Sequence, residues 1–130
     1  SHVHIAFLDA TLDRMFDDCT DQDARHELAC AGLTNLLAYL GWLRGGEIFS
    51  AAPDNLMIVE PLAGPTRGLP PGVGALEYSL LAATKSDPTI AADVMLAYTT
   101  LTGLSPGKWA ARLAQFAPVH AERLFSTNLI

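Results

Sequence analysis

Leu36-Leu37-Ala38-Tyr39-Leu40-Gly41-Trp42-Leu43-Arg44-Gly45-Gly46-Glu47-Ile48-Phe49 is the stretch that decides the fold. Its first residues complete a run from Leu28 to Leu43 that is apolar on most helical faces. That pattern predicts a buried helix at the centre of a domain. The run carries Thr34 and Asn35 and is shorter than a membrane span, so a core helix is expected and no membrane partner. Gly45 and Gly46 are expected to stop it, with a short helical turn over Glu47–Ala51 to follow. Arg44 stands at the break. A cation there is favourable through the helix dipole alone, and it is also well placed to hold an anion.

N-terminal to this run, Ile5–Cys19 reads as an amphipathic helix, with Ile5, Leu8, Leu12, Met15, Phe16 and Cys19 at helical spacing. Asp9, Asp13 and Asp17 recur every four residues on another face. Carboxylates from one helix rarely close a metal's coordination shell, so a solvated face is expected and no metal. Asp18–Asp23 is a polar break in which Asp21 or Asp23 can cap the central helix. His26 and His120 are expected at the surface, and Cys19 and Cys30 as small core residues.

C-terminal to it, Pro53-Asp54-Asn55 is turn chemistry and Leu56–Val59 reads as a buried strand. Pro61–Gly74 holds four prolines and four glycines and is expected to be a surface loop. Ala75–Ala82 and Ile90–Tyr98 read as the arms of a hairpin with Thr84-Lys85-Ser86-Asp87-Pro88-Thr89 at its tip. The second arm competes with a helix, because Ala91, Ala92, Met95, Leu96 and Ala97 favour one. Ser105-Pro106 is a cap followed by proline at the first helical position. The helix it opens turns Trp109, Leu113 and Phe116 inward and ends before Pro118, and a short helix over Val119–Phe125 is expected after it. Lys108, Arg112 and Arg123 form a weak basic stripe.

These elements predict one domain that is mainly α with a small three-stranded antiparallel β-sheet (α+β). At 130 residues the chain can bury a core, and with half its residues apolar and 17% charged it belongs with globular sequences. The two cysteines form neither a disulfide framework nor a metal motif, so a reducing, intracellular compartment is expected, the cytoplasm of a prokaryote or the nucleus of a eukaryote. No secretory signal is visible; Ser1-His2-Val3-His4 lacks the basic and apolar segments of one. The net charge of −6 opposes a general nucleic-acid-binding surface while leaving room for a local basic site.

The order helix, Arg44, Glu47, strand, strand, Lys85, strand, helix resembles the first half of a tyrosine recombinase (phage-integrase-like) catalytic domain. The match centres on Gly41-Trp42-Leu43-Arg44-Gly45-Gly46-Glu47-Ile48-Phe49, which is similar to that family's Gly-Leu-Arg-x-x-Glu-Leu box. Asp54 falls near the acidic residue that often precedes the family's first strand, and Thr84-Lys85-Ser86 resembles its hairpin Thr-Lys-Thr. Ala92–Tyr98 and Gly103–Trp109 resemble recombinase-like genes of eukaryotic mobile elements. The resemblance covers about residues 5–117. It implies DNA strand cleavage and rejoining through a phosphotyrosine, with no cofactor. Arg44 would donate charge-assisted hydrogen bonds to the phosphodiester, Glu47 would orient the loop or the guanidinium, and Lys85 would protonate the leaving 5′ oxygen. Lys108 and Arg112 would face DNA.

The sequence departs from the family after Lys85. The family's His-x-x-Arg box lies well downstream of its lysine, whereas His120-Ala121-Glu122-Arg123 begins only 35 residues past Lys85. Tyr39, Tyr78 and Tyr98 all precede the position of the nucleophile and fall in expected core elements. The expectation is a chain that stops before the second half of the active site and is inactive alone. The competing readings are a non-catalytic interaction or dimerisation module, with a homo-oligomer as the assembly, and an unrelated small α+β protein.

Overall fold

The computed structural model describes residues 1–80 and 92–125. Four helices, α1 (His2–Asp18), α2 (Gln22–Gly41), α3 (Gly45–Phe49) and α4 (Pro106–Phe116), pack around a sheet of β1 (Leu56–Val59), β2 (Ala75–Leu80) and β3 (Ala92–Ala97). The strands lie in the order β1-β2-β3 and are antiparallel throughout. The mainly α architecture with a three-stranded antiparallel sheet is the one expected.

α2 is the centre of the core. Asp21 caps it by accepting the Ala24 N–H at 2.9 Å, and Ala29, Leu33, Leu36 and Leu37 are fully buried along it. The register sets Leu56, Tyr78 and Val94 in one row and Ile58, Leu76 and Leu96 in another. These rows face the helices, with Leu76 and Tyr78 fully buried. In the intervening row, Met57, Glu77 and Met95, both methionines are exposed, as one-sided burial of an antiparallel sheet requires. β3 forms despite the helix propensity of its residues because pairing along all of β2 outweighs a weak local preference. The tips of both hairpin arms, residues 81–91, lie outside the described residues.

α4 is capped by Ser105, whose Oγ accepts the Lys108 N–H at 3.2 Å, with Pro106 in the first turn. It crosses α2 where Gly32 leaves room for the Trp109 ring, since a Cβ on Gly32 would lie 2.6 Å from Trp109 Cε3. Residues 117–125 correct an expectation: they turn back over the core without forming a helix. The Leu124 N–H donates to Ala51 O at 2.8 Å, and Phe125 packs edge-on against Phe49. Pro118 cannot continue α4, and tertiary anchoring holds the segment in its place.

The acidic row on α1 is also corrected. It forms the seam with α4. Asp9 accepts the Trp109 Nε1–H at 2.7 Å. Asp13 accepts from Lys108 Nζ at 2.9 Å and Arg112 Nη1 at 2.7 Å, and Asp17 lies 3.7 Å from Arg112. The Arg112 guanidinium also covers the Phe16 ring at 4.2 Å and the Trp109 ring at 4.7 Å. Burial pushes the Asp13 carboxyl up, but hydrogen bonds from Lys108 and Arg112 outweigh it and hold the group below its ordinary 3.8.

His26 is buried, contrary to its expected surface position, and its Nε2 lies 3.7 Å from Cys30 Sγ one turn on. Cys19 and Cys30 are half-buried and not joined in a disulfide. Burial lowers the His26 pKa from its ordinary 6.5 against the opposing pull of Asp23 and Glu27. As pH falls through about 6.5 the unfolded chain therefore takes up a proton first. Stability from this group is full above that pH and declines below it, down to the folded pKa. Thermal unfolding followed from about pH 8 to about pH 5 should show this onset, and His26→Gln should remove it. A wild-type stability that stays flat through this window would contradict a neutral buried His26.

Candidate functional site

The junction of α2 and α3 presents Arg44. α2 ends at Gly41 because Trp42 adopts the left-handed conformation, φ 57° and ψ 27°. This is two residues earlier than the expected stop at Leu43. Gly45 and Gly46 lie within the first turn of α3. A left-handed conformation costs a non-glycine residue about 1–2 kcal/mol. Trp42 is nevertheless 87% exposed, so no packing of its indole offsets that cost. Leu43 turns inward and is buried, which places exposed side chains on either side of it, Trp42 before and Arg44 after.

Arg44 does not end the long helix. It is the N-cap residue of α3, with extended backbone at φ −87° and ψ 159°. The Glu47 carboxylate accepts the Arg44 backbone N–H at 2.9 Å, and the Glu47 and Ile48 N–H groups both donate to Arg44 O at 3.0 Å. Glu47 thus orients the loop through the backbone, as in a capping box, and α3's first turn is closed on Arg44. The buried Tyr78 hydroxyl reaches Glu47 O at 3.0 Å and Ile48 O at 2.9 Å, tying α3 to β2. Burial, and then the Glu47 charge, push the Tyr78 phenol up to about 12. The turn thus fixes the Arg44 backbone, and the residue is exposed.

The base of the β2–β3 hairpin lies at the same end of the sheet. Tyr78, which holds α3, pairs with Val94, and a Cβ on Gly41 would lie 3.4 Å from Val94 Cγ1. The described strands end at Leu80 and resume at Ala92. Lys85 itself lies outside the described residues. Lys108 and Arg112 do not join Arg44; their contacts are with Asp13 and Asp17 on α1.

No sequence family, characterised protein or solved structure matches the chain.

Most of the other described cations are engaged elsewhere. Arg25 donates to Cys19 O at 2.6 Å, Arg123 donates to Phe49 O at 3.3 Å, and Arg67 lies against Met57 Sδ. Among the described residues, only the Arg14 and Arg44 guanidinium groups have no hydrogen-bonding or ionic partner. A recess of about 510 Å³ between β1 and the end of α4 is lined by Leu56, Ile58 and Leu113 with Asp54 and Glu122, and it does not include Arg44. Among the described residues no group of His, Cys, Asp and Glu side chains could hold a metal, and no helix is long and apolar enough to cross a membrane.

Two residues that shape the site were not singled out from sequence. Tyr78 read only as a core strand residue, because its hydroxyl contact with α3 spans 30 residues of chain. Trp42 read as the last turn of a helix. The signal available for it was its place two residues before Arg44, where the box it resembles has glycine.

Proposed function

We propose that this chain is a DNA phosphate-binding domain of tyrosine-recombinase type, in which Arg44 is the first ligand of a phosphodiester and Lys85 the second cation. The observation that supports this reading is the clamped backbone around Arg44. Glu47 holds its N–H, α3 closes on its carbonyl, and Tyr78 ties α3 to the hairpin strand. A guanidinium carried on a fixed backbone can donate two hydrogen bonds to non-bridging phosphate oxygens, at the cost of ordering its own side chain. The antiparallel three-strand meander is the strand order the resemblance implies around its lysine.

Binding rather than cleavage is the activity of this chain. The Tyr78 hydroxyl is buried against two carbonyl oxygens and titrates at about 12, so it is a poor nucleophile. The Tyr98 phenol is likewise raised, by burial and then by Glu60.

The test is duplex DNA binding by anisotropy over a salt series. Arg44→Ala should weaken binding roughly tenfold and lower the slope of log K against log salt by about 0.9, the signature of one lost phosphate contact. Trapping on a nicked suicide duplex should give no covalent adduct, and an adduct would refute the inactivity of the chain. The interaction-module reading rests on α1, where Val3 and Phe7 are each 74% exposed. Absence of duplex binding at low salt, with a concentration-dependent increase in mass, would favour that reading.

A further inference from the structure

Trp42 is an anomaly on two counts: a bulky residue in the left-handed region and an indole 87% exposed. Backbone strain of this kind persists where the surroundings impose it and concentrates at functional sites. Its neighbours define what the indole can take. Leu43 is buried, and the residues that flank it, Trp42 and Arg44, are both exposed. An indole face accepts either a flat ring or a cation. A cationic ligand is disfavoured beside the Arg44 charge, whereas an anion is attracted to it, and the Glu47 carboxylate is directed to the Arg44 backbone N–H. A flat ring joined to an anion is a nucleotide. A base inside a duplex has both faces stacked and cannot offer one, so the ring must be unpaired.

We propose that Trp42 and Arg44 form a platform for an unpaired DNA nucleotide, with the base stacked on the indole and its phosphate on the guanidinium. The proposal rests on the phosphate-binding reading of Arg44 and adds the structural state of the DNA. The platform selects a melted or single-stranded nucleotide beside the bound phosphate. Stacking of this kind tolerates any base.

Trp42 also supplies the assay. The chain has two tryptophans, and the other, Trp109, is only 2% exposed. Iodide should therefore quench Trp42 selectively. A short oligothymidylate should quench the same emission and protect it from iodide. Trp42→Gly should weaken oligothymidylate binding roughly ten- to hundredfold. Its thermal stability should hold or rise, because glycine adopts the left-handed conformation without strain. Trp42→Tyr should keep most of the affinity. Oligothymidylate binding that is unchanged in Trp42→Gly, or that leaves the emission of the wild type unquenched, overturns the platform. If Arg44-dependent duplex binding is then intact, the phosphate-binding reading survives alone. If neither duplex nor oligothymidylate binds, both readings fall.

Discussion

Gly32→Val is expected to cost the domain a large part of its stability. The α2–α4 crossing is built on the absence of a side chain at this position. A Cβ there would fall among the atoms of the Trp109 indole, 2.6 Å from Cε3 and closer still to the ring junction. The ring has no room to retreat. It is 2% exposed, meets Phe16 edge-on at a centroid distance of 6.2 Å, and is tethered through Nε1 to Asp9. Overpacking a close-packed core costs about 1–3 kcal/mol and more where nothing can yield, so a loss of at least ~3 kcal/mol is expected. Against a total stability of about 5–15 kcal/mol this is roughly a fifth to three fifths. Chemical denaturation is the measurement, and Gly32→Ala should show the same effect in smaller measure. A Gly32→Val protein with a wild-type midpoint would mean that α2 and α4 do not cross here.

The second large effect is expected at Trp109→Ala, with a loss of about 3–5 kcal/mol. The indole fills the space between α1, α2 and α4, and its removal leaves a cavity where three helices meet. It also leaves Asp9 without its 2.7 Å donor and removes one of the two rings beneath the Arg112 guanidinium. Arg112 would keep its Asp13 partner, so the seam should weaken without separating. The two substitutions share one contact and should not be additive. In the Trp109→Ala background, Gly32→Ala should cost far less than alone, because the cavity accepts the methyl group. A double-mutant cycle by denaturation measures this. Equal costs of Gly32→Ala in both backgrounds would show that the ring is not what Gly32 accommodates.

These two positions show how far the sequence could be read. Trp109 was legible as an inward residue from helical spacing, but nothing local connected it to Gly32, 77 positions earlier. A glycine inside an apolar helix reads as a mild weakness until the opposing surface is known. The acidic row of Asp9, Asp13 and Asp17 read as solvated for the same reason: its partners lie on α4, about a hundred residues away in sequence. His26 read as exposed because its position near a helix start says nothing of what packs over it. The junction at Arg44 was partly legible. Glycines and a charged residue after an apolar run announced a break, and Glu47 three residues on announced a cap. Whether Trp42 or Gly45 ended α2 depended on Leu43 turning into the core.

By itself, then, the sequence determined the element types and their order. Helical and alternating periodicities, caps and proline-glycine punctuation act over a few residues and so are written locally. It also determined that one arginine stands where the central helix stops. Only the tertiary structure decided which polar groups meet: the α1 carboxylates with the α4 cations, Glu47 with the Arg44 backbone, and the Tyr78 hydroxyl with α3. Those pairings follow from how apolar faces pack, which is a property of the whole chain. They engage Lys108 and Arg112 with carboxylates while leaving Trp42 and Arg44 exposed on either side of the buried Leu43.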